Sequence, residues 1–398
     1  MVRSAHVDYS HAQAPATVTV IDGPDALAPG APPRRRIAAL RALALHGLER
    51  MYNREEGRFV FRLRRTSDGI IVQEGLSDRY TAITAIGLAG EPADTVRDIL
   101  GGESLADVVQ RLIDRTDRTY NLGDLALIAW AGRMAGCSTA RVWQRICAWG
   151  PDTRRHATVE LSWALSAAAV NPNPRLITIA ERIAHRLRNA FMPDLGVFPH
   201  TIGGDLSKRS HVLCFADLVY PTLALAQFGA AIQDRSFVGC AARCADAMCQ
   251  TQGDAGQWWW HFDYRTGRVI ERYPVYAVHQ DAMAPMALLA VASASGSHYD
   301  DAIARGLDWL GSAPELDGGS LVDHEAGLIW RKVARREPGK LTRYLQAGVS
   351  RIHSRLRMPG VDTLFPPTAI DYEDRPYHLG WLLYAWPSAT RRPAGGAA

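Results

Sequence analysis

The chain has 398 residues and a mass of 43.7 kDa, of which 47% are hydrophobic and 22% are charged. This composition is typical of a globular protein and excludes disordered and collagen-like classes outside the chain ends. No run of about 18 uninterrupted apolar residues occurs, so no transmembrane helix is predicted. The net charge of +4 comes from scattered basic residues, and a nucleic-acid partner is therefore not predicted either.

The six cysteines are too few for a dense disulfide framework at this length. Residues 1–13 are polar and lack the apolar core of a signal peptide, so we expect a cytoplasmic protein with reduced thiols. No cofactor or metal is predicted. Dinucleotide-binding and phosphate-binding loops are absent from the sequence, and three of the cysteines fall on one helix without a second ligand pair.

The chain divides into three parts. Residues 1–33 contain Ala, Pro and Gly without a helical period, apart from a strand-like alternation at Thr17–Ile21, and predict a flexible or draped arm. Residues 34–388 predict a single domain. Residues 389–398 predict a disordered tail, and the sequence does not indicate an oligomeric state.

Six segments of the central part begin with polar or aromatic residues and continue with small apolar ones. They begin at Asp78, Tyr120, His156, Cys214, His279 and Tyr377. Because these segments are apolar on nearly every face, they predict buried helices. Amphipathic helices are predicted between them, at 36–51, 93–113, 141–149, 176–190, 235–249 and 300–310.

This alternation predicts an all-α fold, the (α/α)6 toroid, in which six inner helices form a barrel clad by six outer helices. A straight α-solenoid would also alternate helices, but its repeats are more regular in length. Short β-hairpins are predicted in the insertions, at 57–65 with 70–73, 196–201, 258–264 with 268–272, and 318–331. They should gather at one rim, beside the starts of the inner helices.

In such a toroid the polar starts of the inner helices converge, which predicts a substrate-binding site. Its candidates are Asp78, Arg79, Tyr80, Tyr120, Gln280, Tyr377, His378 and Trp381. The aromatic stretch 257–290 adds Trp259, Trp260, His261, Tyr264 and Glu271. Aromatic faces beside carboxylates suit sugar rings, although the same aromatics could simply pack a loop onto the rim.

Two short motifs resemble a known family. Asp281–Leu288 resembles the Asp-x-Met-x-x-Pro start of an inner helix in the unsaturated glucuronyl hydrolases, with its proline one residue early. Asp217–Leu223 has a similar pattern, with a proline four residues after the aspartate. With the six hairpins, the chain is similar to the (α/α)6 toroid superfamily, nearest to glucuronyl hydrolase-like glycosidases and polysaccharide lyases. The resemblance implies a carbohydrate-active enzyme whose aspartates act as acid and base on an oligo- or polysaccharide.

Two mechanisms remain open on these residues. In glycoside hydrolysis, Asp281 is the first candidate for the acid/base and Asp217 the second, one protonating while the other activates water or attacks. In β-elimination from a uronate, His279 and Tyr276 form the proton-transfer pair instead.

Two other classes of protein are also compatible with the sequence. A terpene cyclase-like toroid would use an acidic cluster on an isoprenoid in an aromatic-lined barrel. The nearest such cluster is Asp371, Glu373 and Asp374. A non-catalytic binding or scaffold protein would instead leave the carboxylates at the rim exposed and separated.

Overall fold

The structure, a computed structural model, describes residues 24–28, 30–171, 173–204, 209–337, 341–353, 355–356 and 358–388. The strand predicted at Thr17–Ile21 and the tail at 389–398 lie outside these residues. Part of the predicted arm is described and is packed against the domain. Ala26 and Leu27 are buried, and the first helix already begins at Pro33.

Fifteen α-helices are present among the described residues. They are α1 (Pro33–Met51), α2 (Asp78–Leu88), α3 (Ala93–Ile99), α4 (Leu105–Asp114), α5 (Leu122–Met134), α6 (Ala140–Ala148), α7 (Thr158–Ala169), α8 (Pro174–Ala190), α9 (Ala216–Ala231), α10 (Arg235–Gln250), α11 (Ala284–Ser295), α12 (Asp300–Gly311), α13 (Leu341–Ile352), α14 (Val361–Leu364) and α15 (Pro376–Ala385). A π-helical turn, His279–Met283, leads directly into α11.

The strands are short. They are β1 (Tyr52–Asn53), β2 (Arg58–Arg65), β3 (Ile71–Leu76), β4 (His156–Ala157), β5 (Thr201–Ile202), β6 (Val212–Cys214), β7 (His261–Asp263), β8 (Arg268–Glu271), β9 (Val275–Tyr276), β10 (Val322–Asp323), β11 (Leu328–Ile329), β12 (Lys332–Ala334), β13 (Ala369–Asp371) and β14 (Glu373–Asp374). They form small antiparallel sheets: β2 with β1, β3 and β14; β4 with β5; β6–β7–β8; β9–β12–β13; and β10 with β11.

The inner helices α2, α5, α7, α9, α11 and α15 contact one another in this order, and α15 contacts α2. The ring is therefore closed, and the predicted (α/α)6 toroid is confirmed. Close approach at the closure depends on glycine. A Cβ atom added to Gly87 of α2 would lie 2.1 Å from the carbonyl oxygen of Gly380 in α15.

Five inner helices begin within two residues of the predicted positions, and the π-helical turn that leads into the sixth, α11, begins at the predicted His279. Polar residues at the starts satisfy free backbone amides. The side chains of Ser77 and Asn121 accept hydrogen bonds from the amides of Tyr80 and Asp124. The apolar remainder of each helix is buried because every face of it meets another element.

The structure differs from the predicted helices at two places. The single helix predicted at 93–113 is two helices, because Gly101 and Gly102 adopt φ values of +66° and +99° after α3. In addition, α13 and α14 lie between β12 and β13, in a segment where no helix is predicted. Helix α13 packs against β8.

Each β-strand lies in a connection that leads from an outer helix to an inner helix. The strands therefore gather at one rim of the barrel, as predicted. We call this end of the barrel, where the inner helices begin, the mouth. None of the helices that the structure describes is long and apolar enough to cross a membrane.

Candidate active site at the barrel mouth

Asp281 lies on the π-helical turn and is completely buried. Its two carboxylate oxygens lie 2.8 and 2.9 Å from Nε2 of His378, which is itself buried at the start of α15. Burial alone would lower the pKa of His378, but the charge and the hydrogen bond of Asp281 outweigh it and raise that pKa. The indole of Trp386 donates a hydrogen bond to the carbonyl oxygen of Asp281.

The contact between Asp281 and His378 differs from what the sequence predicts for each of them. His378, predicted to bind substrate, points to Asp281 inside the barrel wall and is only 3% exposed. Asp281 lies in an ion pair between inner helices and not on an open surface. Its role as acid/base stays a prediction, but the structure gives its carboxylate an internal partner that the sequence did not reveal.

Asp374 belongs to the same buried region. Burial raises its pKa to about 7, whereas the neighbouring His378 pulls it down. Its carboxylate accepts hydrogen bonds from the backbone amides of Arg375, at 2.7 Å, and Ile329, at 3.4 Å. Asp374, His378 and Asp281 therefore form a buried row of ionisable groups.

Asp217, in the first turn of α9, is also completely buried, but its partners differ. Its Oδ2 accepts hydrogen bonds from the amide of Cys214 at 2.8 Å and from the Cys214 thiol at 3.2 Å. Nδ1 of His200 lies 2.9 Å from the same oxygen, and 48% of the His200 side chain is exposed. Asp217 is thus connected through His200 to the mouth.

Tyr276 and His279, the predicted elimination pair, lie side by side with ring centroids 5.1 Å apart. Burial lowers the pKa of His279 to about 3, so its imidazole is neutral. Burial raises the pKa of Tyr276, so its phenol keeps its proton. His279 is fully enclosed, with Nδ1 3.3 Å from the carbonyl oxygen of Trp258.

Gln280, predicted to bind substrate, is completely buried and has a structural role. Its Oε1 accepts a hydrogen bond from the amide of Trp258, and its Nε2 donates one to the carbonyl of Tyr276. Both amide atoms are therefore occupied by backbone groups. This part of the prediction is wrong.

The three consecutive tryptophans point in different directions. Trp258 is in the core. Trp259 lines a pocket of about 680 Å³, and Trp260 lines a second pocket of about 250 Å³ together with Tyr276. Tyr264 lines neither of these two pockets.

Trp381, predicted to bind substrate, lines neither of these two pockets. Its side chain is completely buried inside the barrel. Its ring contacts those of Trp130, Tyr220 and Tyr384, with centroids 5.7 Å away in each case. It is a core residue because it belongs to the inner face of α15.

The Trp260 pocket is strongly cationic. Arg331, Lys332 and Arg335 line it, and each of these has a carboxylate partner. Arg343, from α13, also lines it and lies over Trp260, with Cζ 4.8 Å from the ring centroid. Among the described residues, Arg343 makes no ion pair, although Glu337 lines the same pocket and its charge acts on Arg343.

Arg209 adds a second cation without a described carboxylate partner. It stacks over Tyr344, and its Nε is buried with no hydrogen-bond partner in the described part of the chain. Burial lowers the pKa of His261 to about 3, and the charges of Arg209 and Arg343 act in the same direction. The positive field of both arginines therefore converges on His261, which stacks on Trp260 with centroids 4.1 Å apart.

Other predicted residues form a second wall of the mouth. The rings of Tyr80 and Tyr377 are 4.7 Å apart, and Arg375 donates a hydrogen bond to the hydroxyl of Tyr80. Arg79 pairs with Asp124 and lies over Trp163. These contacts join the starts of α2, α5 and α15 to the middle of α7.

Two predicted binding residues, Asp78 and Tyr120, lie apart from these groups, and a third, Glu271, is connected to them through Arg335. Asp78 pairs with Arg58 on β2. Tyr120 is 79% exposed. Glu271 is buried and pairs with Arg335 at 3.0 Å, on the side of the Trp259 pocket.

The acidic cluster proposed for a cyclase is divided by the structure. Asp371 pairs with Lys332, and Glu373 pairs with Arg331 and Arg375. Although burial alone would raise it, these arginines hold the pKa of Glu373 below its usual value. Asp374 is buried away from both. The three acids therefore do not form one proton-donating group.

The comparisons with known proteins identify the fold. No protein-family model and no curated protein sequence matches the chain. Solved structures do match. A sugar epimerase from a ruminal bacterium aligns with a TM-score of 0.56 and 10% identity, over 88% of this chain and 98% of that one. A heparin-specific unsaturated glucuronyl hydrolase aligns with a TM-score of 0.53 and 13% identity, over 88% and 95%.

The unsaturated glucuronyl hydrolase of Bacillus sp. GL1 aligns with a TM-score of 0.50 and 16% identity, over 86% of this chain and 93% of that one. The chain has the fold of these enzymes. The predicted resemblance to the six-hairpin toroids is therefore confirmed, and at these identities the likeness concerns the fold.

Three residues of the mouth are not predicted from the sequence: His200, Arg209 and Arg343. His200 precedes β5, and Arg209 lies in a turn before β6, so neither belongs to an apolar pattern that marks an inner helix. Arg343 lies on a helix that was not predicted. The long segment between α12 and α15 is rich in basic residues, and this was the sequence feature that could have indicated Arg343.

Proposed function

We propose that the chain is a carbohydrate-active enzyme that acts on an acidic oligo- or polysaccharide at the mouth. The observation that carries the proposal is the position of Arg209 and Arg343. Neither makes an ion pair among the described residues, and the charges of both act on His261, next to Trp260. A carboxylate, sulfate or phosphate group of a substrate would supply the missing counter-charge.

The adjacent aromatic rings suit the sugar itself. Trp260 is only partly buried, and its ring meets that of Tyr276 edge to face, with centroids 5.1 Å apart. His261 and Arg343 cover the two faces of the Trp260 ring, so the apolar part of a pyranose would contact its exposed edge while the acidic group reaches Arg343. A neutral sugar would lack the second contact, so this pocket favours a uronate.

We place the catalytic chemistry at Asp217 and not at Asp281. Both are buried aspartates at the starts of inner helices, but only the Asp217 cluster, through His200, extends to a half-exposed side chain. Tyr276, whose phenol stays protonated, is the second candidate for proton transfer. Cleavage by hydrolysis and by β-elimination both require such a base and such an acid.

Two of the fold neighbours are consistent with this proposal. One is named as responsible for the degradation of glycosaminoglycan and the other as specific for heparin, which are both acidic polysaccharides.

The test is an activity screen with mass-spectrometric detection. Saturated and unsaturated uronate-containing oligosaccharides, and neutral ones of equal length, are incubated with the protein. Hydrolysis adds one water to the summed products, whereas elimination adds none. We expect cleavage of an acidic substrate that is lost in Asp217→Asn and kept in Asp98→Asn, an exposed position on outer helix α3. Cleavage of neutral substrates alone would contradict the proposal.

A further inference from the structure

The Asp217 cluster brings together three different metal-ligating groups. One ligand atom each from His200, Cys214 and Asp217 lie within 4.8 Å of one another. Imidazole, thiolate and carboxylate are the donor types that hold Zn²⁺ in proteins. We propose that this cluster binds a single divalent transition-metal ion, with Zn²⁺ as the expected one.

The separations between the ligand atoms are close to what such an ion requires. Tetrahedral Zn²⁺ places its nitrogen, sulfur and oxygen ligands about 3.3–3.6 Å apart. Here the imidazole nitrogen lies 2.9 Å and the thiol sulfur 3.2 Å from Oδ2 of Asp217. Small side-chain rotations would open this triangle enough to admit the ion.

A second observation points to a missing partner. Asp217 is completely buried, yet its Oδ1 has no hydrogen-bond partner in the described part of the chain. A buried carboxylate oxygen left without a partner costs free energy, because nothing replaces its lost hydration. A cation bound to this carboxylate would compensate for that loss, whereas the amide bond from Cys214 accounts for Oδ2 alone.

Backbone contacts hold the three ligands in place. Cys214 ends β6 and is paired with His261 of β7. The carbonyl oxygen of His200 accepts a hydrogen bond from the amide of Thr158, at the start of α7. Asp217 is fixed in the first turn of α9. The three side chains thus come from three ordered segments, which limits the ordering entropy that a bound ion would cost.

Metal binding exchanges the thiol proton of Cys214 for the metal ion. The S–H bond of Cys214 breaks, its proton leaves to solvent, and an S–metal bond forms. His200 binds through one neutral ring nitrogen and Asp217 through its carboxylate, so the three ligands contribute two negative charges against the two positive charges of the ion. Three protein ligands leave a fourth position for water, as in catalytic zinc sites.

The inference deepens the proposed function, because a metal-bound water at the mouth would supply a base or nucleophile near neutral pH. It can nevertheless be tested without any saccharide. The full chain is stripped with a chelator, its metal content is measured, and Zn²⁺ and then Co²⁺ are titrated. We expect one ion per chain and, for Co²⁺, a thiolate-to-metal charge-transfer absorption.

The variants identify the ligands. Cys214→Ser, His200→Ala and Asp217→Asn should each weaken binding by more than the about 10–100-fold that second-shell changes cost. Cys147→Ser, at an exposed cysteine on outer helix α6, should bind like the unchanged chain. The Co²⁺ band of the unchanged chain identifies a thiolate ligand even if a variant fails to fold.

Two results would overturn the proposal. One is a chain that takes up no ion at micromolar Zn²⁺ or Co²⁺. The other is stoichiometric binding that Cys214→Ser leaves unchanged. In either case the saccharide screen still decides the proposed function, since acidic substrates could be cleaved by His200 and Asp217 without a metal.

Discussion

The guanidinium carbon of Arg343 lies 4.8 Å from the centroid of the Trp260 ring. The contact joins α13, in the insertion after the sixth outer helix, to the connection that leads into α11. The guanidinium of Arg343 thus lies over an aromatic ring and makes no ion pair among the described residues. The site therefore offers the guanidinium of Arg343 and the exposed edge of Trp260 to the same ligand.

A substitution of Arg343 should change the affinity for an acidic ligand without changing the stability of the fold. We expect Arg343→Ala to weaken the binding of an acidic oligosaccharide about 10–100-fold, because a hydrogen bond to a charged group contributes about 1.5–3 kcal/mol. The melting temperature should change little, since the side chain has no described ion-pair partner to lose. Calorimetric titration and thermal unfolding measure the two effects.

Arg235→Ala is the matched control for this variant. Arg235 is exposed at the start of outer helix α10, on the end of the barrel away from the mouth. It should leave the affinity unchanged. Equal losses of affinity in both variants would show that overall charge, and not the position of Arg343, attracts the ligand.

Two tryptophans distinguish the mouth from the core. We expect Trp260→Ala to lower affinity with a small effect on stability, because its ring is partly exposed. Trp381→Ala should lower the free energy of unfolding by about 3–5 kcal/mol, because it empties a completely buried site. Urea denaturation followed by circular dichroism measures both. A larger stability loss for Trp260→Ala than for Trp381→Ala would contradict this assignment.

The ion pair of Asp281 and His378 gives a prediction for stability. We expect Asp281→Asn to lower the free energy of unfolding by about 3 kcal/mol, because it leaves His378 buried without its counter-charge. The exposed Asp98→Asn should be neutral in the same denaturation experiment. Unchanged stability together with a loss of turnover would instead support Asp281 as the acid/base.

The pKa of Asp374 predicts how stability depends on pH. It is raised from 3.8 to about 7 by burial, so the folded chain keeps a proton that the unfolded chain releases. This group therefore favours folding below pH 3.8, and its contribution falls as the pH rises toward 7. The pKa of His378 is also raised above its usual value of 6.5. Its contribution to the free energy of unfolding is therefore also lost as the pH rises above 6.5.

The measurement is the free energy of unfolding between pH 4 and pH 8, compared with that of Asp374→Asn. We expect the variant to show a flatter profile than the unchanged chain, because the titrating carboxyl is gone. Parallel profiles would show that Asp374 ionises in the folded state as it does in the unfolded one.

The barrel could be predicted from the sequence because inner helices carry an unusual pattern. Small apolar residues cover every face of them, and a polar start fixes where each begins. The break between α3 and α4 was missed because Gly101 and Gly102 interrupt an otherwise continuous amphipathic stripe. Helix α13 was missed because it packs on a hairpin and not on the barrel.

The site could be predicted only in part, because the role of an acid depends on what faces it. Asp217 and Asp281 occupy similar positions in the sequence, and both are completely buried. Which of them connects to the mouth depends on His200 and His378, which lie 17 and 97 residues away in sequence. A periodic pattern does not record such distant partners, nor the lack of a partner at Arg343.

The central claim, that the mouth selects an acidic saccharide, is tested most directly by one pair of ligands. A uronate-containing oligosaccharide and its carboxyl-reduced counterpart are titrated calorimetrically into the same protein at low and high salt. The account predicts that the acidic ligand binds at least about tenfold more tightly, and that salt reduces this difference. Equal affinity for both ligands at low salt would contradict it.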